Sequence, residues 1–270
     1  MQKLDELISA VRRGATGATP EQLDEVEREI RRAASDPVLA FIGLSGVGKS
    51  TTINSLFNAG LPVSHFEPCT QLATPVEGDL YEMTGARGKV VVYDMPGLGE
   101  SLKADERHYD TYRQVLPTVD AAIWVVEAPV RGMAPIQLAL QRLRAELGTQ
   151  VVDKIVFAIN KVDRMYPGER DWNEIGNVPS EAQIENAKRF TAYVDASVRE
   201  VVPEWKRVAI PYSAARRYRL QELMREVSAA FDVRREWLLT DRAAVADYRE
   251  LVDPRLLQFV EQERRRRRSK

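Results

Sequence analysis

The chain has 270 residues, of which 44% are hydrophobic and 29% are charged, and its formal net charge is −1. This length allows one large or two small domains, and the balance of charge argues against a general affinity for nucleic acid or membranes. Cys69 is the only cysteine, which excludes an intramolecular disulfide and a thiolate zinc cluster. We therefore expect a soluble cytoplasmic protein without a transmembrane segment.

The predicted elements begin with two amphipathic helices. The first covers residues 2–13, where apolar residues recur at helical spacing. The second begins near Thr19, because Thr19-Pro20-Glu21-Gln22 has the residue types of a helix start. We predict that residues 1–35 form a helical N-terminal flank.

From residue 38 onward, short β-rich runs alternate with helical segments. The predicted strands are 38–42, 76–82, 89–93, 121–126, 154–159 and 207–212. Residues 164–180 are predicted to be a loop insertion before a helix at 181–202. This alternation predicts a three-layer α/β fold with a six-stranded, mostly parallel sheet, which binds ligands at the carboxyl ends of its strands. We assign this domain to residues 36–232.

Residues 233–270 are predicted to form a helical C-terminal flank with a basic tail. The helical pattern is broken at Pro254, and the tail consists of Glu263 followed by five arginines, a serine and a lysine. Such a run is a solvated arm or a contact for a ribosome, an RNA or an acidic surface. We expect the two flanks to pack together, because their apolar stripes require burial.

A glycine-rich motif follows the first predicted strand. Glycines let successive backbone N–H groups point at phosphates, a lysine neutralises the β- and γ-phosphates, and a serine hydroxyl ligates Mg²⁺. The helix that follows adds the partial positive charge of its N-terminus. The predicted nucleotide-binding residues of this phosphate loop are Gly43, Ser45, Gly46, Val47, Gly48, Lys49, Ser50 and Thr51.

A second motif, Asp94-Met95-Pro96-Gly97, closes the strand predicted at 89–93. An acid at this place holds Mg²⁺, and a glycine N–H can approach the γ-phosphate. A threonine between the two motifs would complete the Mg²⁺ coordination, and we expect Thr70 to do so, with Thr74 as the alternative. The predicted metal ligands are Ser50, Thr70 and Asp94.

A third motif, Asn160-Lys161-Val162-Asp163, follows the strand predicted at 154–159. The carboxylate of Asp163 can accept hydrogen bonds from guanine N1–H and the 2-amino group, donors that adenine lacks. An ionised acceptor of this kind contributes about 1.5 to 3 kcal/mol. Ser213-Ala214-Ala215 follows the last predicted strand, where a backbone N–H could meet guanine O6.

The motifs occur in the order found in GTPases and span residues 43–215. In this order they resemble the Era/MnmE/septin-type (TRAFAC) class of P-loop GTPases. The segments PCTQ, DMPGLGES and LPTVDAAIWVVEA, together with Trp172, Pro179, Ser180 and Asn186, are further similar to the bacterial YfjP/YeeP-like predicted GTPases. That group is related to the immunity-related GTPases.

The resemblance implies a role for each matching residue. Lys49 and the loop amides would bind phosphates, Asp94 would hold Mg²⁺ through water, and Gly97 would sense the γ-phosphate. Lys161 would lie against the guanine ring. The implied catalytic residues are Lys49, Thr70 and Gly97, and the implied base-binding residues are Asn160, Lys161, Asp163, Ser213 and Ala214.

Two residues depart from the family pattern. Leu98 stands where many GTPases have a glutamine that orients water, and leucine cannot hydrogen-bond a water molecule. Gly46 stands where MnmE-like enzymes have an asparagine that holds an activating potassium ion. We therefore expect a GTP-binding switch that slowly hydrolyses GTP to GDP and phosphate and is activated by a partner or by homodimerisation.

Two other functions stay open. The chain could be a GTP-binding scaffold or regulatory module that dimerises and scarcely hydrolyses, as Leu98 and Gly46 would allow. A dynamin-like membrane machine fits less well, because the flanks are too short for a long stalk and lack an aromatic-rich amphipathic face.

For some side chains the sequence allows either a functional role or a structural one. His65 and His108 could be general bases or solvated loop residues. Trp124 is predicted to be a core residue, whereas Trp172 could belong to the core or cover the nucleotide. The arginines that could either supply a finger to the transition state or form surface salt bridges are Arg107, Arg113 and Arg131.

Overall fold

A computed structural model describes most of the central domain and the N-terminal helices. The described residues are 2–14, 19–34, 36–57, 59–61, 74–79, 89–130 and 132–230. The predictions for His65, Thr70, Arg131 and the flank at 233–270 lie outside these ranges.

A largely parallel β-sheet forms the centre of the described structure. Its strands are β1 (Val38–Gly43), β2 (Thr74–Asp79), β3 (Lys89–Asp94), β4 (Ala121–Glu127), β5 (Ile155–Asn160) and β6 (Ile210–Pro211). They follow one another across the sheet in the order β2-β3-β1-β4-β5-β6. Strands β3, β1, β4, β5 and β6 run parallel, and β2 pairs antiparallel with β3. The expected α/β fold with a largely parallel sheet is confirmed.

Helices connect most of the strands. Within the described ranges they are α1 (Gln2–Gly14), α2 (Pro20–Ala34), α3 (Lys49–Phe57), α4 (Leu102–Val115), α5 (Ala134–Leu147), α6 (Thr149–Val152), α7 (Glu181–Val201) and α8 (Leu220–Ser228). Short 3₁₀ turns lie at Leu116–Thr118, Val162–Arg164 and Glu169–Asp171. None of the described helices combines the length and apolarity that crossing a membrane requires.

The sheet is covered on both faces, as the side chains of β1 show. Leu39 and Phe41 belong to a core that includes residues of α3 and α8. Ala40 and Ile42 point to the other face, in a core with residues of α4, α5 and α7. A strand buried on both faces has a continuous apolar sequence, which is why β1 is easily recognised. Trp124 of β4 is fully buried, so its predicted place in the core is confirmed.

The last strand is shorter than predicted. The expected strand at 207–212 is reduced to β6, which pairs with Ala158 and Ile159 of β5. Pro211 has no N–H to donate to a ladder, and Val208 is 54% exposed rather than buried. The prediction from the β-rich composition of this segment was therefore too long.

The two N-terminal helices form as predicted and contact each other. Gln22 N donates to Thr19 Oγ1 at 3.3 Å, and Thr19 N donates to Gln22 Oε1 at 2.9 Å, which is a reciprocal cap for α2. Arg12 of α1 pairs with Asp24 and Glu27 of α2. These exposed ion pairs orient the helices more than they stabilise them.

Candidate nucleotide-binding site

The predicted motifs meet at one edge of the sheet. The phosphate loop at 43–50 follows β1, residues 94–98 follow β3, residues 160–163 follow β5, and residues 213–214 follow β6. These four strands are parallel, so their carboxyl ends lie on the same side of the molecule. The sheet thus brings together residues that are far apart in the chain.

Two glycines of the phosphate loop have positive φ angles and lie close to neighbouring segments, Gly43 to a backbone atom and Gly48 to a side chain. Gly43 has φ +138°, and a Cβ there would lie 2.5 Å from the carbonyl oxygen of Val125. Gly48 has φ +97°, and a Cβ there would lie 2.4 Å from Nδ2 of Asn160. Any other residue would be strained at both positions, and at Gly43 it would also clash with the backbone of β4. The loop can therefore pass close to both β4 and the loop that follows β5.

Lys49 is held inside this loop. Its Nζ donates to the carbonyl of Leu44 at 2.9 Å and to that of Gly43 at 3.4 Å, and the residue is 7% exposed. Burial lowers the pKa of Lys49 to about 8, although the charges of Asp94 and Glu100 oppose this shift. A buried ammonium is costly without an anion, so the loop favours a negatively charged ligand.

Ser50 and Asp94 are in direct contact. Ser50 Oγ donates to Asp94 Oδ2 at 2.6 Å. A hydroxyl and a carboxylate are the ligand types that Mg²⁺ takes when phosphate oxygens complete its octahedron, so this pair fits the ion. Among the described residues, no group of three or more His, Cys, Asp or Glu side chains could hold a metal. The alternative ligand Thr74 lies on β2, with its backbone opposite Asp94.

Residues 97 and 98 lie directly against the phosphate loop. Leu98 N donates to the carbonyl of Gly43 at 3.1 Å, and Ser45 N donates to the carbonyl of Leu98 at 2.9 Å. A Cβ on Gly97 would lie 2.6 Å from Cα of Ser45, so only glycine allows this approach. The predicted γ-phosphate sensor and the phosphate loop therefore form one backbone unit.

Leu98 packs into the core below this contact. It is 2% exposed and belongs to the hydrophobic cluster that includes residues of α4 and α5. Its buried side chain cannot orient a water molecule for attack.

A polar side chain that sequence reasoning missed is Glu100, whose Oε1 accepts a hydrogen bond from Ser45 Oγ at 3.2 Å. In the sequence, only the position of Glu100, two residues after Leu98, indicated that it could belong to the site.

Asn160 joins three segments of the site. Its Nδ2 donates to the carbonyl of Val47 at 3.0 Å, which ties it to the phosphate loop. Its Oδ1 accepts hydrogen bonds from Lys161 N at 2.8 Å and from Ala214 N at 3.0 Å. Asn160 is 2% exposed, so these contacts are protected from water. The amide of Ala214, which could meet guanine O6, is engaged with Asn160 in this structure.

Lys161 contacts the phosphate loop, and Asp163 is buried two residues further along the chain. Lys161 has φ +65°, and its Nζ donates to the carbonyl of Gly46 at 3.0 Å and pairs with Glu127 at 2.7 Å. Asp163 is 4% exposed, and no described residue forms a hydrogen bond with its Oδ1. A buried carboxylate oxygen without a donor is unfavourable unless a ligand supplies one. This atom is therefore free to accept a hydrogen bond from a ligand.

The loop at 213–214 is braced by its own neighbours. Ser213 and Tyr218 exchange backbone hydrogen bonds of 3.1 and 3.0 Å, and Ser213 Oγ accepts from Arg216 N at 3.1 Å. Ser213 is fully buried and Ala214 is 2% exposed. Both residues therefore shape the loop beside Asn160 rather than the outer surface.

The insertion at 164–180 supports this loop from outside. The Trp172 ring meets the Tyr218 ring edge-on at 5.3 Å, and Trp172 Nε1 donates to Asn177 Oδ1 at 3.1 Å. Asn177 Nδ2 in turn donates to the carbonyl of Arg216 at 2.9 Å. Trp172 is 4% exposed and belongs to the core, which decides between the two interpretations of this residue.

Gln183 is a second residue that sequence reasoning missed. It is 1% exposed, and its Nε2 donates to the carbonyls of Asp163 and Gly168 at 3.0 Å each. The same side chain caps α7, together with Ser180. The spacing of Ser180 and Gln183 signals a capping box, but not the contact with the loop that carries Asp163.

The structure corrects the interpretation of His108 as a solvated loop residue. His108 lies on α4 and is 4% exposed, and its Nδ1 is 2.8 Å from the carbonyl oxygen of Gly97. The helix is capped by Ser101, and His108 belongs to its buried residues together with Ala104, Tyr109 and Tyr112. Arg113 pairs with Asp110 and Glu146, so the surface salt bridge is the correct interpretation of this arginine.

Comparisons with known proteins agree with this arrangement. The family model described as "50S ribosome-binding GTPase" matches residues 38–161, a segment that begins with β1 and ends at Lys161. The uncharacterized protein YfjP of Escherichia coli (strain K12) is 29% identical over 155 residues, which are 57% of this chain and 50% of YfjP. The chain thus spans about half the length of this curated relative.

Two solved structures share the fold at low identity. An Era variant of Aquifex aeolicus bound to GDP.AlF4- is 19% identical, with a TM-score of 0.53 over 72% of this chain and 56% of that one. Toc33 of Arabidopsis thaliana in complex with Mg²⁺ and GMPPNP is 14% identical, with a TM-score of 0.55 over 76% and 92%. These two structures share the α/β fold of this chain, and over residues 38–161 the chain is similar to a GTPase family.

Proposed function

We propose that this protein binds Mg²⁺ and GTP, hydrolyses GTP slowly to GDP and phosphate, and acts as a nucleotide-dependent switch. The observation that carries the proposal is Oδ1 of Asp163, which is buried without a hydrogen-bond partner among the described residues. Guanine offers two donors to such a carboxylate, and adenine offers none at the same positions. Asn160 holds the loop of Asp163 against the phosphate loop, so base and phosphates can be bound together.

The phosphate side supports the same proposal. When the nucleotide binds, Lys49 would donate to phosphate oxygens instead of the carbonyls of Gly43 and Leu44. The negative phosphates would then compensate its buried positive charge. Ser50 and Asp94 would hold Mg²⁺, which neutralises charge on the β- and γ-phosphates when bound. Gly97 lies directly against Ser45 of the phosphate loop, and its N–H would meet the γ-phosphate.

The burial of Leu98 supports slow turnover. Its side chain is packed in the core and has no polar group for water, so hydrolysis needs a group from elsewhere. We propose that a partner or a second copy of the chain supplies it. The same observation favours the alternative, a GTP-binding scaffold with negligible hydrolysis.

The guanine site is tested by nucleotide affinities of the wild type and of Asp163→Asn. We expect the wild type to bind GDP at least about 100-fold more tightly than ADP. Asp163→Asn should prefer XDP, because xanthine has a carbonyl at C2 that accepts from the new amide. Asp171→Asn, which changes an exposed carboxylate of the nearby insertion at 164–180, is the matched control. Equal affinities of the wild type for GDP and ADP would refute the proposal.

The two modes of action are separated by measurements across protein concentrations. Phosphate release per molecule that rises with concentration indicates a dimer-activated enzyme. A molecular mass that increases with bound nucleotide in light scattering, without phosphate release, indicates a GTP-binding scaffold.

A partner and a location form the last part of the proposal. The matched family model is described as ribosome-binding, and residues 264–268 are five consecutive arginines. We propose that the tail contacts the ribosome, whose RNA is an anionic partner for arginine, and that the single cysteine reflects a cytoplasmic location. Co-sedimentation with ribosomes, but not with acidic liposomes, should be lost when the chain is truncated after Glu263. Unchanged co-sedimentation of the truncated chain would rule out the tail contact.

A further inference from the structure

One face of α4 contacts the loop that carries Gly97. Asp105, His108 and Tyr112 lie three and four residues apart, so they project from the same side of the helix. Each of them contacts the backbone between residues 96 and 100. The helix and the loop are therefore joined at three successive places.

Tyr112 acts on the peptide that would meet the γ-phosphate. Its hydroxyl donates to the carbonyl oxygen of Pro96 at 2.9 Å. This carbonyl and the N–H of Gly97 belong to the same trans peptide and point in opposite directions. A bond that fixes the carbonyl therefore also fixes the direction of the Gly97 N–H, and polarisation of the peptide makes that N–H a stronger donor.

The Tyr112 hydroxyl is well suited to this task. The residue is fully buried, and burial raises the pKa of the phenol, so the hydroxyl keeps the proton that it donates. Its oxygen also accepts a hydrogen bond from Gly43 N at 3.5 Å. One hydroxyl thus links the first residue of the phosphate loop to the peptide before Gly97.

His108 and Asp105 attach the following peptides to the same helix. Because a carbonyl only accepts, the contact of 2.8 Å between His108 Nδ1 and the Gly97 oxygen requires a proton on Nδ1. Asp105 Oδ1 accepts from Gly99 N at 2.9 Å. The loop therefore cannot turn at Gly97 without moving α4 or breaking these bonds.

We propose that Tyr112 is a positioning residue for the γ-phosphate, and that Tyr112, His108 and Asp105 make α4 respond to its presence. This inference rests on the proposed function, because it concerns the discrimination between bound GTP and bound GDP. GDP has no γ-phosphate, so only the GTP complex depends on the direction of the Gly97 N–H.

The test compares the affinities of Tyr112→Phe for GDP and for a non-hydrolysable GTP analogue. The substitution removes only the hydroxyl. We expect the affinity for the analogue to fall about 3- to 10-fold, the size of one net hydrogen bond, and the affinity for GDP to change less than about 2-fold.

Two tyrosines provide matched controls. Tyr109 lies on the same helix, its ring is 6.3 Å from that of Tyr112, and Tyr109→Phe should leave both affinities unchanged. Tyr212 is also fully buried, and its hydroxyl is 2.8 Å from Thr52 Oγ1 on the helix after the phosphate loop. Tyr212→Phe should act only through the structure of the protein. We therefore expect it to lower the affinities for GDP and for the GTP analogue by the same factor.

His108 variants keep the proposal testable if Tyr112→Phe does not fold. His108→Asn retains a side-chain donor near the position of Nδ1, whereas His108→Leu removes it. Hydrogen exchange of residues 102–115 should differ between the GDP and GTP-analogue complexes in the wild type and in His108→Asn. In His108→Leu this difference should shrink, while the difference at the phosphate loop remains.

The outcomes separate the two hypotheses. An equal loss of affinity for both nucleotides in Tyr112→Phe, or an undiminished exchange difference in His108→Leu, would overturn the positioning role alone. A wild-type protein that binds neither guanine nucleotide would overturn the proposed function itself.

Discussion

The base-binding and phosphate-binding sides of the site are held together in different ways. On the base side, buried amide side chains bond to backbone groups, as Asn160 does with Val47 and Gln183 does with Asp163. On the phosphate side, the loops touch through their own backbones, and Lys49 is a buried charge that faces carbonyl groups.

This difference indicates a division of labour. On the base side, Asp163 Oδ1 is buried without a donor among the described residues, so we expect this atom to select the base. The phosphate side contains a charge that a ligand would compensate and a loop that is attached to α4, so its contacts should change with the nucleotide. Base selectivity and nucleotide response should therefore be separable by mutation.

The largest expected effect is on the phosphate side, at Lys49. Lys49→Met should weaken GDP binding about 10- to 150-fold, because one or two charge-assisted hydrogen bonds to phosphate are lost. The ratio of GDP to ADP affinity should stay unchanged, since the base contacts are intact. Isothermal titration with both nucleotides measures this, and a changed ratio would contradict the division of labour.

Lys49 also predicts a pH dependence. Burial lowers its pKa from 10.5 to about 8 in the nucleotide-free protein, so GDP affinity should fall above pH 8, by up to about tenfold per pH unit. The unfolded chain still binds this proton between pH 8 and 10.5, so the stability of the nucleotide-free protein should rise there by about 3 kcal/mol. Neither trend should occur in Lys49→Met, and their persistence would assign them to another group.

An intermediate effect is expected on the base side, at Gln183. Gln183→Leu removes the side-chain donor to the carbonyl of Asp163 and one of the two donors to the carbonyl of Gly168, which should lower the free energy of unfolding by about 1 to 3 kcal/mol. The ratio of GDP to ADP affinity should fall about tenfold as the loop of Asp163 loosens.

The control for this variant is another glutamine that bonds a backbone carbonyl. Gln137 donates to the carbonyl of Ser197, away from the site. Gln137→Leu should change the unfolding free energy, measured in urea, without changing the nucleotide ratio. A loss of selectivity in both variants would show that general destabilisation is responsible.

The smallest expected effect is at Glu100, again on the phosphate side. Glu100→Gln keeps an acceptor for Ser45 Oγ but removes a negative charge near the phosphates, so affinity for a GTP analogue should rise about 2- to 5-fold at low salt. Glu106→Gln, an exposed change on α4 that affects the pair with Arg142, is the control. An equal rise in both variants would point to net charge alone.

The sequence by itself determined the fold class and predicted a set of ligand-binding residues that the parallel sheet brings to one edge. β1 and β5 are buried on both faces and therefore appear as continuous apolar runs. Phosphate and Mg²⁺ chemistry restricts the residue types of the phosphate loop and of Asp94 so strongly that their spacing identifies them. The guanine carboxylate at Asp163 is recognisable for the same reason.

Only the tertiary structure showed how these residues are held. Tyr112 contacts Pro96, and Gln183 contacts Asp163, across many intervening residues. A side chain that bonds a backbone carbonyl needs no particular residue type at its partner, so these contacts leave no sequence pattern. The burial of Leu98 and His108 likewise depends on how α4 packs against the sheet. Local chemistry thus specifies the groups that we propose to bind the nucleotide, and long-range packing decides how they are oriented.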